Sequence, residues 1–107
     1  MRILFDQGTP APLRRSLAGH VVSTAYEMGW SELENGELLA AAERDGFELL
    51  VTTDQNLGYQ QNLTGRQLAI LVLPTTSWPI IQRHLTEVSV AVDGMTAGTF
   101  RLLSFAP

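Results

Sequence analysis

The sequence predicts an α/β domain: a mainly parallel sheet of four to five strands flanked by helices. Three observations lead there. Short apolar runs rich in Leu, Ile and Val alternate along the chain with stretches of helical apolar period. Two of those runs, Arg2-Ile3-Leu4-Phe5-Asp6-Gln7 and Leu49-Leu50-Val51-Thr52-Thr53-Asp54-Gln55-Asn56, stop on an aspartate. No repeat, linker or low-complexity segment interrupts the chain, so one domain spans 1–107.

The elements follow in order. Residues 2–5 read as a buried strand closed by the turn signal Gln7-Gly8-Thr9-Pro10. Thr9 as N-cap and Pro10 as first helical residue predict a helix to about Leu17, ended by Gly19. His20 to Thr24 is largely β-branched and reads as a second strand. Tyr26 to Trp30 is ambiguous, at most one helical turn. Asn35 is a good N-cap for a helix whose apolar face is Leu38, Leu39 and Ala42, with Gly46 as C-cap. Residues 48–52 form the third strand, and 55–63 an irregular or briefly helical loop. Leu68 to Leu73 is the fourth strand, stopped by Pro74. Ser77-Trp78-Pro79 starts a last helix with Ile81, Leu85, Val88, Val92 and Met95 on one face. Phe100 to Phe105 closes the domain as a strand.

Composition narrows the function classes. A hydrophobic content of 45% belongs to a folded globular chain rather than a disordered one. No cysteine is present, so disulfide frameworks and thiolate zinc sites are excluded. The longest apolar runs fall far short of the roughly 20 residues a membrane span needs. An aspartate already at position 6 leaves no secretory signal visible, and a cytoplasmic protein is the expectation. All seven basic residues are arginine, and the net charge is −4. An acidic chain is a poor non-specific nucleic-acid binder, because that affinity comes from neutralising phosphates. A nuclease is still compatible, since bound metal ions supply positive charge locally.

Parallel strands gather their carboxyl ends at one sheet edge, where open α/β folds place ligands. Asp6 and Asp54 would meet there if their strands are neighbours. Glu37, in the first turn of a helix, would join them if that helix starts at the same edge. Oxygen ligands of this kind suit Mg²⁺ or Mn²⁺, bound by one or two carboxylates with waters and substrate phosphate. Each residue also has a plain structural reading. Asp6 can cap the turn into the first helix, Asp54 can N-cap residues 55–58, and Glu37 can favour the helix dipole. Thr52 is an ordinary strand residue.

Asp6-Gln7-Gly8-Thr9-Pro10, Asn35-Gly36-Glu37-Leu38-Leu39 and Val51-Thr52-Thr53-Asp54-Gln55-Asn56-Leu57 together resemble the small PIN-like proteins grouped as domain of unknown function 5615. The resemblance covers roughly the first 60 residues and continues in element order. Members open with a strand reading Asp-Glu-Asn-Leu-Pro. They carry an Asp-Glu-Glu-Ile-Leu helix start and a Thr-x-Asp-x-Asp-Phe strand end. The wider PIN family is known for metal-dependent ribonucleases, many of them toxins of bacterial toxin–antitoxin pairs. The resemblance therefore implies a PIN-like parallel sheet, an acidic site for Mg²⁺ or Mn²⁺, RNA as substrate and a small antitoxin as partner.

Residue by residue, Asp6, Glu37 and Asp54 match acids of the family pattern and would serve as metal ligands and catalytic residues, with Thr52 in the threonine position. Gln7, Asn35 and Asn56 stand where the pattern has acids. They keep a carbonyl oxygen without the charge, as neutral ligands or substrate contacts. Two readings follow from this mixture. One is a metal-dependent ribonuclease with a partly degenerate acidic site. The other is a catalytically inactive PIN-like protein that binds or regulates, with dimerisation as one route. An ordinary α/β domain with a small ligand at its strand ends is a third.

The remaining polar and aromatic residues carry less. His20 and His84 have no metal-ligand spacing and read as structural or exposed, His20 without a visible partner. Trp30 and Trp78 can stack a base, though core packing is commoner. Arg14 and Arg15, near the Asp6 edge, read as a solvated helix face that can also meet phosphate. No phosphate-binding glycine loop or nucleophile elbow is present.

Overall fold

The computed structural model describes residues 1–60 and 63–106. Its centre is a five-stranded, all-parallel sheet in the order β2-β1-β3-β4-β5. The strands are β1 (Arg2–Phe5), β2 (Val21–Thr24), β3 (Leu49–Thr52), β4 (Ala69–Val72) and β5 (Phe100–Leu102). Between them run a 3-10 helix (Ala11–Ser16), α1 (Asn35–Arg44), the single turn α2 (Leu57–Gln60), and the consecutive α3 (Trp78–Gln82) and α4 (Leu85–Asp93). This is one of the two common doubly wound strand orders, and its direction of growth reverses between β1 and β3.

Strand periodicity explains why the sheet is covered on both faces. Successive side chains alternate sides. Ile3, Phe5, Leu49, Val51, Ala69 and Leu71 enter one core with Leu13 of the 3-10 helix and Ile81, Val88 and Val92 of α3 and α4. Leu4, Leu50, Ile70 and Val72 enter the other, with Leu38, Leu39 and Ala42 of α1 and Leu57 of α2. The three central strands are therefore near-continuous apolar runs, as doubly covered parallel strands must be. Their register sets Phe5 beside Val51 and Val51 beside Leu71. Fully burying a Leu, Ile, Val or Phe side chain stabilises by roughly 1.5–3 kcal/mol, so these rows hold the sheet together.

Several local expectations are corrected. The first helix is a short 3-10 segment with Pro10 at its cap position, and Thr9 does not cap it. The Thr9 hydroxyl is committed instead to Asp6 and to the Val51 carbonyl. The cap of α1 is Glu34 rather than Asn35. Glu34 and Glu37 form a capping box, in which the Glu34 N–H donates to Glu37 Oε1 at 3.1 Å. Asn35 is thereby released from capping. Tyr26 to Trp30 is a set of turns rather than helix. The 55–63 segment, by contrast, is briefly helical as expected, through α2, and its positions 61 and 62 lie outside the described residues.

The last helix begins where the sequence places it, with the Ser77 hydroxyl accepting from the Ile80 N–H. It is broken at Arg83-His84. His84 takes a non-helical backbone, bonds Glu87 at 2.6 Å and stacks on Phe105 at 4.3 Å. The apolar face survives the break: Ile81, Val88, Val92 and Met95 are all buried, and Leu85 packs against them.

β5 is three residues long and exposed, shorter than the expected 100–105. It is brought to β4 by a turn in which Gly98 adopts φ +74°, and a Cβ there would lie 2.8 Å from the Arg66 carbonyl oxygen. No helix among the described residues is long and apolar enough to cross a membrane.

Gly98→Ala should combine a left-handed backbone penalty with a clash against fixed main chain. A loss of about 1 kcal/mol or more is expected. Urea unfolding checks it: a midpoint equal to the parent's would show that the turn adapts freely.

Candidate functional site

β1 and β3 are adjacent and parallel, so Asp6 and Asp54 emerge at the same edge of the sheet. That edge lies at the reversal of strand order, where doubly wound sheets open a crevice. The Asp6 N–H donates to the Val51 carbonyl at 3.2 Å, which extends the strand pairing to the site residue itself.

Two buried threonines hold the Asp6 carboxylate. Thr9 Oγ1 lies 2.7 Å from Asp6 Oδ1, and the Thr52 hydroxyl donates to Asp6 Oδ2. Thr9 and Thr52 are only 5% and 1% exposed, so these are bonds shielded from water. Thr52 also accepts from the Asp54 N–H at 3.1 Å, linking the two acids through one hydroxyl. Gly8 permits the turn to close tightly, because a Cβ there would meet Thr53 Oγ1 at 2.5 Å.

Both Asp54 oxygens are engaged. The Asn56 N–H donates to Oδ1 at 2.9 Å, closing a turn around the strand end. Asn35 Nδ2 donates to Oδ2 at 2.7 Å. Asn35 therefore belongs to the site, by its side chain, whereas Asn56 contributes its main chain. Gln7 is exposed in the turn after β1 and lines the cleft beside Asp6.

Glu37 is placed elsewhere. Its carboxylate is occupied by the Glu34 N–H at the start of α1, and the residue is exposed. The expected convergence of Asp6, Glu37 and Asp54 is not found: among the described residues, no three His, Cys, Asp or Glu side chains gather closely enough to hold a metal ion. The reason is local. Moving the cap from Asn35 to Glu34 makes Glu37 the partner in the capping box.

Burial pushes the Asp6 carboxyl above its ordinary value; the Thr52 and Thr9 bonds pull it back, and the negative charge of Asp54 adds to the rise. The hydrogen-bond inventory points the same way. Thr9 carries one hydroxyl proton but has two acceptors within reach, Asp6 Oδ1 and the Val51 carbonyl at 2.9 Å. A proton on Asp6 satisfies all three groups: Asp6 then donates to Thr9, and Thr9 to Val51. Neither Asp6 nor Asp54 forms an ion pair with arginine or histidine among the described residues; those pairs lie elsewhere.

The other residues singled out in the sequence fall away from the acids. Arg14 makes a two-point pair with Glu27 that holds the Glu27 carboxyl down to about 2, helped by the Thr24 N–H. His20 does have partners, the Met1 amino group at 3.0 Å and Asp93 at 2.7 Å. Trp30 packs edge-on to Phe47. Trp78 lines the Asp6 cleft, with Thr24, Tyr26 and Thr76 among its other walls; the cleft is about 570 Å³. Thr9 is the site residue that sequence reasoning missed. Its available signal is the Asp-x-x-Thr spacing, which closes a turn with the Thr9 N–H on the Asp6 carbonyl at 3.2 Å.

Comparison with known protein families, curated proteins and solved structures finds no match for the chain.

Two outcomes are expected. Glu37→Ala removes half of a capping box, so urea unfolding should show a loss of about 1 kcal/mol. An unchanged midpoint would show that Glu37 does not hold the start of α1. Asp6→Asn should melt no lower than the parent at neutral pH, because an amide at position 6 can donate to Thr9 and accept from Thr52. The sign follows from linkage. The folded protein holds the Asp6 proton more tightly than the unfolded chain, so parent stability declines as pH rises from the ordinary 3.8 through the raised value, and stays lower above it. The variant should lack that decline in thermal melts; a decline of equal size in both would assign it to another group.

Proposed function

We propose that the chain is a PIN-like, metal-dependent ribonuclease-like protein with a reduced acidic site, binding Mg²⁺ or Mn²⁺ through Asp6 and Asp54. The observation that carries this reading is a pair of carboxylates at the strand-order reversal, one partly buried and raised in pKa, with no cationic side chain paired to either among the described residues. Such a pair suits a hard divalent cation, and Mg²⁺ needs only one or two carboxylates when waters and a phosphate complete its shell. The cation would lend Lewis acidity toward the scissile phosphate and lower the pKa of attacking water.

The chain's own groups divide the remaining work. Thr9 and Thr52 fix the Asp6 carboxylate in one orientation, and Asn35 and the Asn56 N–H fix that of Asp54. Gln7 lines the cleft and would touch a substrate held there. By the resemblance in its motifs the protein would be a cytoplasmic toxin component with a small antitoxin, and homodimers are compatible with that role.

One observation favours a second reading, a catalytically silent protein that binds or regulates. Asn35 already donates a hydrogen bond to Asp54 where the family pattern has an acid, so that oxygen of Asp54 is satisfied without a cation. Glu37, consumed by its cap, adds no charge.

Calorimetric titration with Mn²⁺ on the parent and an Asp6→Ala, Asp54→Ala double variant, followed by RNA cleavage in the same buffer, separates the two. Binding by the parent alone, with metal-dependent cleavage, supports the nuclease. A folded parent with no binding at millimolar metal and no cleavage supports the silent protein. Asn35→Asp sharpens the comparison. It replaces a donor with a second carboxylate against Asp54, so the metal-free variant should lose roughly 1–3 kcal/mol. Added Mn²⁺ should recover that loss and bind about tenfold tighter than to the parent, following ligand charge. An equally stable variant without metal would show that position 35 does not face Asp54 in solution.

A further inference from the structure

Two aromatic side chains in the Asp6 cleft have no part in holding the acids. Trp78 opens α3 and is half-buried against the core. Tyr26, in the turn after β2, is 79% exposed, an uncommon position for a ring that normally finds cover. Both line the cleft, whose polar walls also include Thr24, Thr76, Gln7 and the Asp6 carboxyl. A second groove of about 580 Å³ shares Ala11, Thr24 and Tyr26 with the first and continues to Arg14 and Arg15. Tyr26 thus stands where the two join. Glu27 neutralises Arg14, whereas Arg15 is exposed and makes no ion pair among the described residues.

Aromatic rings, hydrogen-bonding groups and a guanidinium along adjoining grooves are elements by which proteins hold unpaired nucleotides. A duplex keeps its base faces stacked internally and has little use for an exposed ring. The net charge of −4 leaves little room for affinity built on phosphate contacts alone, so stacking must supply the larger share. We propose that this groove is a stacking subsite for unpaired nucleobases, with Tyr26 and Trp78 as the platforms and Arg15 on the adjoining phosphate. It rests on the nucleic-acid reading of the strand-end cleft, but not on cation binding.

The test is done in EDTA. Polarisation of a labelled, short single-stranded oligoribonucleotide reads binding to the intact protein. In a Trp30→Phe background, checked for folding by circular dichroism, Trp78 is the sole tryptophan and its emission reports the subsite directly. Saturable binding with quenched Trp78 emission is expected. Tyr26→Ala should weaken it about tenfold, and Tyr26→Phe should restore most of it, since the ring is what stacks. Arg15→Ala should reduce the salt slope by about 1. Equal affinity in Tyr26→Ala, equal affinity for duplex, or no binding by the folded protein overturns the subsite. If Mn²⁺ fails to bind yet the oligonucleotide does, the cation reading falls and the subsite stands; Mn²⁺ binding without oligonucleotide binding removes the subsite alone.

Discussion

The pairing of β1 with β3 is the constraint from which the strand-end edge is built. Two strands far apart in sequence lie side by side in parallel, with Leu4 beside Leu50 and Phe5 beside Val51. Both are buried on each face, so a one-residue slip would move every side chain to the opposite core. That intolerance fixes the edge as well as the interior. With the register set, the Asp6 N–H meets the Val51 carbonyl and the Thr52 hydroxyl meets the Asp6 carboxylate. A polar arrangement at the rim thus inherits its geometry from apolar packing beneath it.

The same edge shows how a carboxylate can be kept in a partly buried place without a counter-charge. Hydroxyl donors from Thr9 and Thr52 offset part of the desolvation cost, and a nearby aspartate adds to it. A site that served structure alone would be better filled by an amide, which the surrounding donors and acceptors accommodate. On the proposed reading the acid is kept there for a ligand, as perturbed carboxyls in clefts often are. Asn35 is the counterweight, since it already settles one oxygen of Asp54.

Most of the architecture was legible from apolar periodicity. The runs at 2–5, 48–52 and 68–73 became the three doubly covered strands, and the face read from Ile81 to Met95 stayed buried across a break in its helix. What periodicity could not disclose was decided by single polar side chains with competing partners. Thr9 had a strand-end carboxylate within reach and bonded it rather than capping the helix. Glu34 and Glu37 satisfied each other at the start of α1, and this one-residue change turned Asn35 from a cap into a site residue. The break at His84 depended on Glu87 and on Phe105, a contact distant in sequence. Asp6 and Asp54 were placed correctly at one edge because strand ends in a parallel sheet leave few alternatives.

Strand order also sets a sequence of events during synthesis. β1 and β2 can pair early, as their partners span only Arg2 to Thr24. Thr9 can reach Asp6 locally, but the second hydroxyl on Asp6 comes from Thr52, 46 positions later, and the Asn35 amide meets Asp54 only once β3 has been made. Non-local parallel pairing is entropically slow to form. A nascent chain therefore exposes the β3-facing side of β1 and its terminal acid well before β3 arrives, and the edge acquires its full chemistry only after β1 and β3 have paired.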